Sequence, residues 1–355
     1  MDARAMAERL VRAPVDVPSV RLGEPLMTAF AGPTDAELAA YPPDAPVVVC
    51  LHSFDSSCLE FRRLYPLLAP HAPTYALDLV GWGFTDHAWL QGAGDNAQSI
   101  GPDAKRAHLR AFVKQRLGGR KLILIGASVG GAIAMDFALT YPEMVSKLVL
   151  LDPQVFIDGL GPMATLPRRL AELGVKLLQT EWLRNQAGVA AYFDKPQYAT
   201  KDAVRVGRLH TFLPGWLDAN VAFMRSGGYS MSRRIRDVRA DTLVLWGRDD
   251  EILEGTFAER FPAELPTSRL VYVERCGHTP HLESAPFVAE QVLRFLRDGL
   301  TAFDADEDPP SGSDEGLELA AVDELLEAAA VAMEAAAAVR VWRLDRAGVA
   351  GLPLA

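Results

Sequence analysis

The chain has 355 residues, 49% of them hydrophobic and 23% charged, the balance of a globular protein with one large domain or two modest ones. Its net charge of −10 is unevenly placed, because residues 301–355 carry twelve acidic side chains against three arginines and the rest is close to neutral. This excludes a basic footprint for nucleic acid, and apolar runs of no more than strand length exclude an obvious membrane span. Cys50, Cys58 and Cys276 form no metal-ligand spacing and no disulfide framework. With no apolar secretory core in residues 1–10, a soluble protein of a reducing compartment, cytoplasm or plastid stroma, is expected.

Strand-length apolar runs fall at 47–51, 74–78, 122–126, 147–152, 242–247 and 269–273. Most are continuous rather than alternating, as in parallel strands buried on both faces. Residues 20–30 add one or two antiparallel edge strands. Amphipathic segments at 59–68, 102–117, 129–140 and 285–298 sit among the runs, the alternation of an α/β domain with a largely parallel sheet. Residues 1–153 and 238–300 are therefore expected to form the core. Between them the strand rhythm stops: 154–237 holds only helical segments (166–180, 181–192, 201–209, 217–224) and is expected to be a helical lid inserted after the sixth core strand. Beyond 300, residues 304–315 read as an acidic linker and 317–340 as an alanine-rich helix, a tail with a possible protein partner.

Chemistry concentrates where core strands end. Gly126-Ala127-Ser128-Val129-Gly130 lies between a strand and an apolar helix, the context in which a tight turn lifts a serine hydroxyl above a sheet. A serine hydroxyl is a poor nucleophile until a base takes its proton. The candidate base is His278, on the loop after the last strand, with His281 three residues on as its competitor; Gly277 is expected to free the backbone that presents it. The carboxylate orienting that base is expected at Asp250, with its neighbour Asp249 and the strand-end Asp152 as alternatives. The order Ser128, Asp250, His278 is that of α/β-hydrolases. Two N–H groups, of Val129 after the serine and Phe54 in His52-Ser53-Phe54, are candidates for an oxyanion hole, and His52 reads as a loop-shaping residue.

Together with Asp78-Leu79-Val80-Gly81-Trp82-Gly83-Phe84-Thr85-Asp86, these motifs resemble the α/β-hydrolase superfamily across about 45–298. His52-Ser53-Phe54-Asp55-Ser56-Ser57, Arg208-Leu209-His210 and Ser226-Gly227-Gly228-Tyr229 resemble, more narrowly, lidded hydrolases of plants and algae. The resemblance implies a triad at Ser128, Asp250 and His278. Many members have His-Gly where this chain has His52-Ser53. A serine rather than an aspartate at the elbow points away from epoxide hydrolase and haloalkane dehalogenase chemistry. It implies acyl transfer to water with neither metal nor organic cofactor, and the apolar side chains of 154–237, Phe156, Trp182, Tyr192 and Phe193 among them, point to a small or medium apolar carboxylic ester. The same triad could serve carbon–carbon, thioester or phytyl-ester cleavage, and a third reading is a non-catalytic ligand-binding or scaffold member of the fold.

Overall fold

The computed structural model describes residues 3–21, 23–94 and 100–303. The expected linker and tail helix beyond residue 303 lie outside the described residues. One sheet runs through the core, with strands β1 (Leu10–Val15), β2 (Leu26–Ala31), β3 (Val47–Leu51), β4 (Thr74–Leu77), β5 (Leu122–Ala127), β6 (Val145–Leu151), β7 (Asp241–Gly247) and β8 (Ser268–Val273). Their spatial order is β1-β2-β4-β3-β5-β6-β7-β8. The pairs β1/β2 and β2/β4 are antiparallel; every pair from β4 to β8 is parallel.

The central strands have no polar face. Every residue of β3 and β5 is buried, so both faces of the sheet need a cover. Alternate residues divide between two apolar layers: Val47, Val49, Leu122 and Leu124 on one side, Val48, Cys50, Ile123 and Ile125 on the other. The first layer is closed by α1 (Pro102–Arg116), α2 (Val129–Thr140) and, further along, by Ala258 and Phe261. The second is closed by residues 58–68 and by Val288, Val292 and Phe295 near the carboxyl end.

Between β6 and β7 the chain is helical, as its lack of strand runs predicts. It forms α3 (Arg168–Leu178), α4 (Glu181–Ala191), α5 (Lys201–Arg208) and α6 (Trp216–Arg225). Thr180 and Thr200 start α4 and α5 by accepting the N–H groups of Leu183 and Ala203. Ala171, Val175, Trp216, Val221 and Met224 give this insertion a small core of its own, while Ala219, Ala222 and Phe223 of α6 join the main one.

Two expectations need correction, and one helix was not expected. The antiparallel edge is a β1–β2 hairpin that begins at Leu10, not within 20–30 alone; Arg12 and Pro14 disguise β1, and proline is tolerated there because the strand is at the edge. The helix expected at 59–68 is a 3-10 turn, Cys58–Arg62, followed by a helical turn, Tyr65–Leu68. Pro66 cannot continue a helix across that span and instead opens the second turn. Finally, α7 (Thr256–Glu264) was masked in the sequence by Pro262, which lies inside it; the last long helix is α8 (Ala285–Asp298).

Candidate active site

The parallel register brings the strand ends to one edge. Leu51 pairs with Gly126, Ala127 with Leu151, Leu151 with Leu245 and Gly247 with Val273. The residues that follow β3, β5, β6, β7 and β8 therefore emerge side by side, at the carboxyl edge where ligands of α/β sheets bind.

Ser128 occupies the turn from β5 into α2 with φ 50° and ψ −119°, a backbone conformation strained for a residue with a side chain. Its N–H donates to Leu151 O at 2.9 Å, and its carbonyl accepts from Gly131 and Gln154, so the turn is held from three directions. The two flanking glycines are needed for close approach. A Cβ at Gly126 would lie 2.3 Å from Gly130 O, and one at Gly130 would lie 2.1 Å from Leu51 O. Gly130→Ala is accordingly expected to cost at least about 1–3 kcal/mol, the ordinary range for overpacking, and to lower the melting temperature; an unchanged melting curve would show that the turn can relax.

His278 Nδ1 lies 2.7 Å from Asp250 Oδ2. The other oxygen, Oδ1, accepts the N–H groups of Ile252 (2.7 Å) and Leu253 (3.2 Å), so the carboxylate is locked by its own loop. Both side chains are nearly buried. Two of the alternatives, Asp249 and His281, are placed elsewhere. Asp249 is exposed. His281 is buried against Glu60, with Nε2 3.0 Å from Oε1, rather than bonding near Glu283 as its sequence position suggests. Glu283 instead accepts the N–H groups of Gly277, Phe193 and Asp194 and braces the histidine loop. His278 N–H donates to Ala191 O at 2.8 Å, tying that loop to the end of α4. Gly277 is required for a reason other than the expected freedom: a Cβ there would stand 2.6 Å from Ala191 O, while the left-handed residue of the loop is Arg275, at φ 54°.

Asp152, at the end of β6, is buried with φ 41° and accepts Gly247 N–H at 2.8 Å. Its carboxyl, Asp250 and His278 present polar atoms within 4.8 Å of one another. Burial, reinforced by the charge of Asp250, pushes the Asp152 carboxyl well above the usual carboxylate range. Asp152 is thus poorly placed to carry a negative charge. Among the described residues the trio is also the one group of oxygen and nitrogen donors close enough to hold a cation, but Asp250 already has its partners.

On the β3 side, Val129 opens α2, so its N–H has no helical acceptor, and the Phe54 N–H bonds to no other described residue. Ser53 is fixed by Glu60, which accepts its N–H at 3.2 Å and its hydroxyl at 2.7 Å. Burial acts against the Glu60 charge, but His281 and Ser56 outweigh it and hold the carboxyl down at about 2. His52 is buried, neutral because burial pushes its ring down to about 4, and bridges to its neighbour's carbonyl at 2.8 Å as a loop-shaping residue.

A model of the alpha/beta hydrolase family matches residues 48–291. The chain belongs to that family. It is 38% identical over 294 residues to the alpha/beta hydrolase domain-containing protein VTE7 of Arabidopsis thaliana, covering 82% of this chain and 85% of that one. A 2-hydroxy-6-oxononadienedioate/2-hydroxy-6-oxononatrienedioate hydrolase of Burkholderia vietnamiensis is 31% identical over 235 residues, 62% of this chain and 75% of that protein. The solved structure of a thermophilic esterase from Thermogutta terrifontis superposes with a TM-score of 0.64 at 20% identity, covering 81% of this chain and 98% of that one, a likeness of fold. Within the α/β-hydrolase frame, sequence reasoning missed the acids that brace the β3 loop, Asp55 and Glu60. The only signal for Asp55 was membership of a motif, and Glu60 had none, since an acid reads as solvated until its partners, distant in sequence, are known. Among the described residues no helix is long and apolar enough to cross a membrane.

Proposed function

We propose that this α/β-hydrolase is a serine hydrolase that cleaves a carboxylic ester of a small or medium apolar substrate through an acyl-enzyme, with Ser128 as nucleophile, His278 as base and Asp250 as the acid orienting it. The observation that carries this reading is the buried His278–Asp250 pair, 2.7 Å apart, at the strand edge where Ser128 is thrust out by its strained turn. Because Nδ1 of His278 faces Asp250, Nε2 is the nitrogen left to take the Ser128 proton. The Ser128 oxygen would add to the ester carbonyl, and the N–H groups of Phe54 and Val129 would receive the resulting oxyanion. One such donor is worth roughly 3–4 kcal/mol. His278 would then protonate the departing alcohol, and afterwards activate the water that releases the acid.

A cavity of about 200 Å3, bordered by Phe54 and Thr279 although neither Ser128 nor His278 lines it, is the candidate site for an apolar acyl chain. It lies between the loop 53–60 and helices α4 and α5, with small side chains such as Ala187, Ala191 and Ala203 facing it. In this reading the helices inserted after β6 act as the lid of the site. The experiment is a presteady-state assay with p-nitrophenyl acetate: an acyl-enzyme predicts a burst of nitrophenol equal to the enzyme, followed by slower turnover. No hydrolysis of any p-nitrophenyl ester, with turnover of a 2-hydroxy-6-oxo-dienoate instead, would move the reading to carbon–carbon cleavage. Gly188 tests the cavity. A Cβ there meets nothing nearer than the Tyr192 ring at 3.9 Å, so a side chain can begin there without a clash, and Gly188→Leu is expected to take up cavity space. It is expected to lower kcat/KM for the octanoate ester by about tenfold while leaving the acetate within about twofold, as for loss of a fitted apolar group; equal effects on both would place the chain elsewhere.

A further inference from the structure

Of the residues in the plant-and-algal motifs, the triad uses none from Asp55 onward, yet the structure brings two of those motifs together. Asp55 directly follows Phe54, is 2% exposed and has φ 45°. Its Oδ1 accepts hydrogen bonds from the Trp216 indole at 2.7 Å, from His210 Nε2 at 3.1 Å and from the Asn220 amide at 3.3 Å. Its Oδ2 is paired with Arg184, which also donates to the Asp55 carbonyl at 3.1 Å. All four partners belong to the helical insertion between β6 and β7. Burial would raise the Asp55 carboxyl, but Arg184, His210 and Trp216 outweigh it and hold it below the usual carboxylate range.

The grip extends to Phe54 itself. Asn220 accepts the Trp82 indole N–H at 3.2 Å, Trp82 meets the Phe54 ring edge-on at 5.5 Å, and Phe223 packs on both at 4.7 and 5.8 Å. Helix α6 alone supplies Trp216, Asn220 and Phe223. With Ser53 fixed by Glu60 on one side and Asp55 by the insertion on the other, the Phe54 amide between them has little room to turn. A buried ion pair is weak evidence for stability, since apolar residues of similar volume often serve as well. What a multiply bonded carboxylate supplies is a fixed position for its own backbone.

We propose that Asp55 is a positioning residue for the oxyanion hole, the carboxylate through which the helical insertion holds the Phe54 N–H in place. This rests on the serine-hydrolase reading above, and the two are separable. The test uses the full chain and p-nitrophenyl butyrate, with the rate of Ser128 labelling by a fluorophosphonate as a second readout. Asp55→Asn keeps the shape but replaces one acceptor oxygen by a donor facing Arg184. Its kcat and its labelling rate are expected to fall about 10²-fold, with KM within about threefold, because the loss is of transition-state stabilisation. Trp216→Phe, which removes one N–H from the cluster, is expected to lower kcat about fivefold, and to add almost nothing on the Asp55→Asn background. A folded Asp55→Asn enzyme with wild-type kcat, a change confined to KM, or full additivity of the two substitutions would overturn the inference. If Asp55→Asn does not fold, Trp216→Phe decides alone: kcat lowered at constant KM supports the clamp, and unchanged kcat refutes it. Absence of labelling in the wild-type protein would sink the serine-hydrolase reading, and the clamp with it.

Discussion

Ser128→Ala is expected to reduce kcat for p-nitrophenyl esters by about 10⁴–10⁶-fold while leaving the fold intact. The fold survives because the serine hydroxyl is not what holds the turn: the turn's bonds are main-chain, from Ser128 N–H to Leu151 and from Gly131 and Gln154 to the Ser128 carbonyl. Alanine adopts φ near 50° no more easily than serine, so the strain is unchanged. What is lost is the oxygen that forms the acyl bond. Residual hydrolysis would come from the oxyanion donors and from binding alone. A rate assay beside a melting curve checks both halves: activity lost with the melting temperature kept supports the assignment, and activity kept contradicts it.

The second large effect separates two acids that the sequence leaves in competition. Asp250→Asn is expected to lower kcat by about 10⁴-fold, since an amide facing Nδ1 favours the wrong tautomer of His278 and cannot stabilise the imidazolium. Asp152→Asn is expected to stay within about threefold. Its carboxyl is pushed above the usual range by burial and by the charge of Asp250, so a neutral amide resembles the group already there and can still accept Gly247 N–H. The reverse ranking in kcat at neutral pH would make Asp152 the orienting acid.

Much of this site was legible because its members sit where secondary structure must end. A short, fully apolar run such as residues 122–125, bounded by glycines, reads as a central strand, and a Gly-rich pentapeptide between such a run and a helix has few conformations. The same logic placed His278 and Asp250 after their strands. Motif position favours Asp250 over Asp249, while the side-chain direction that sets Asp250 against His278 Nδ1 is not a property of a linear pattern. Gly277 was singled out correctly but for the wrong cause, because close approach to Ala191 is a tertiary fact. Asp55 was the largest omission. Its partners lie in α4, in the turn Leu209–Phe212 and in α6, and no local rule joins a loop acid to an arginine and a tryptophan in a distant insertion. Strands with a proline or an arginine, as in β1, were hidden for the related reason that edge position excuses what a propensity rule forbids.

The central claim is that the Ser128 oxygen is the atom that attacks. The most direct measurement is to treat the native full chain with a fluorophosphonate and map the adduct by mass spectrometry of peptides. One phosphonate per chain, on Ser128, competed away by p-nitrophenyl butyrate, is the predicted result; an adduct on any other residue, or none under conditions where the protein turns over esters, would contradict it.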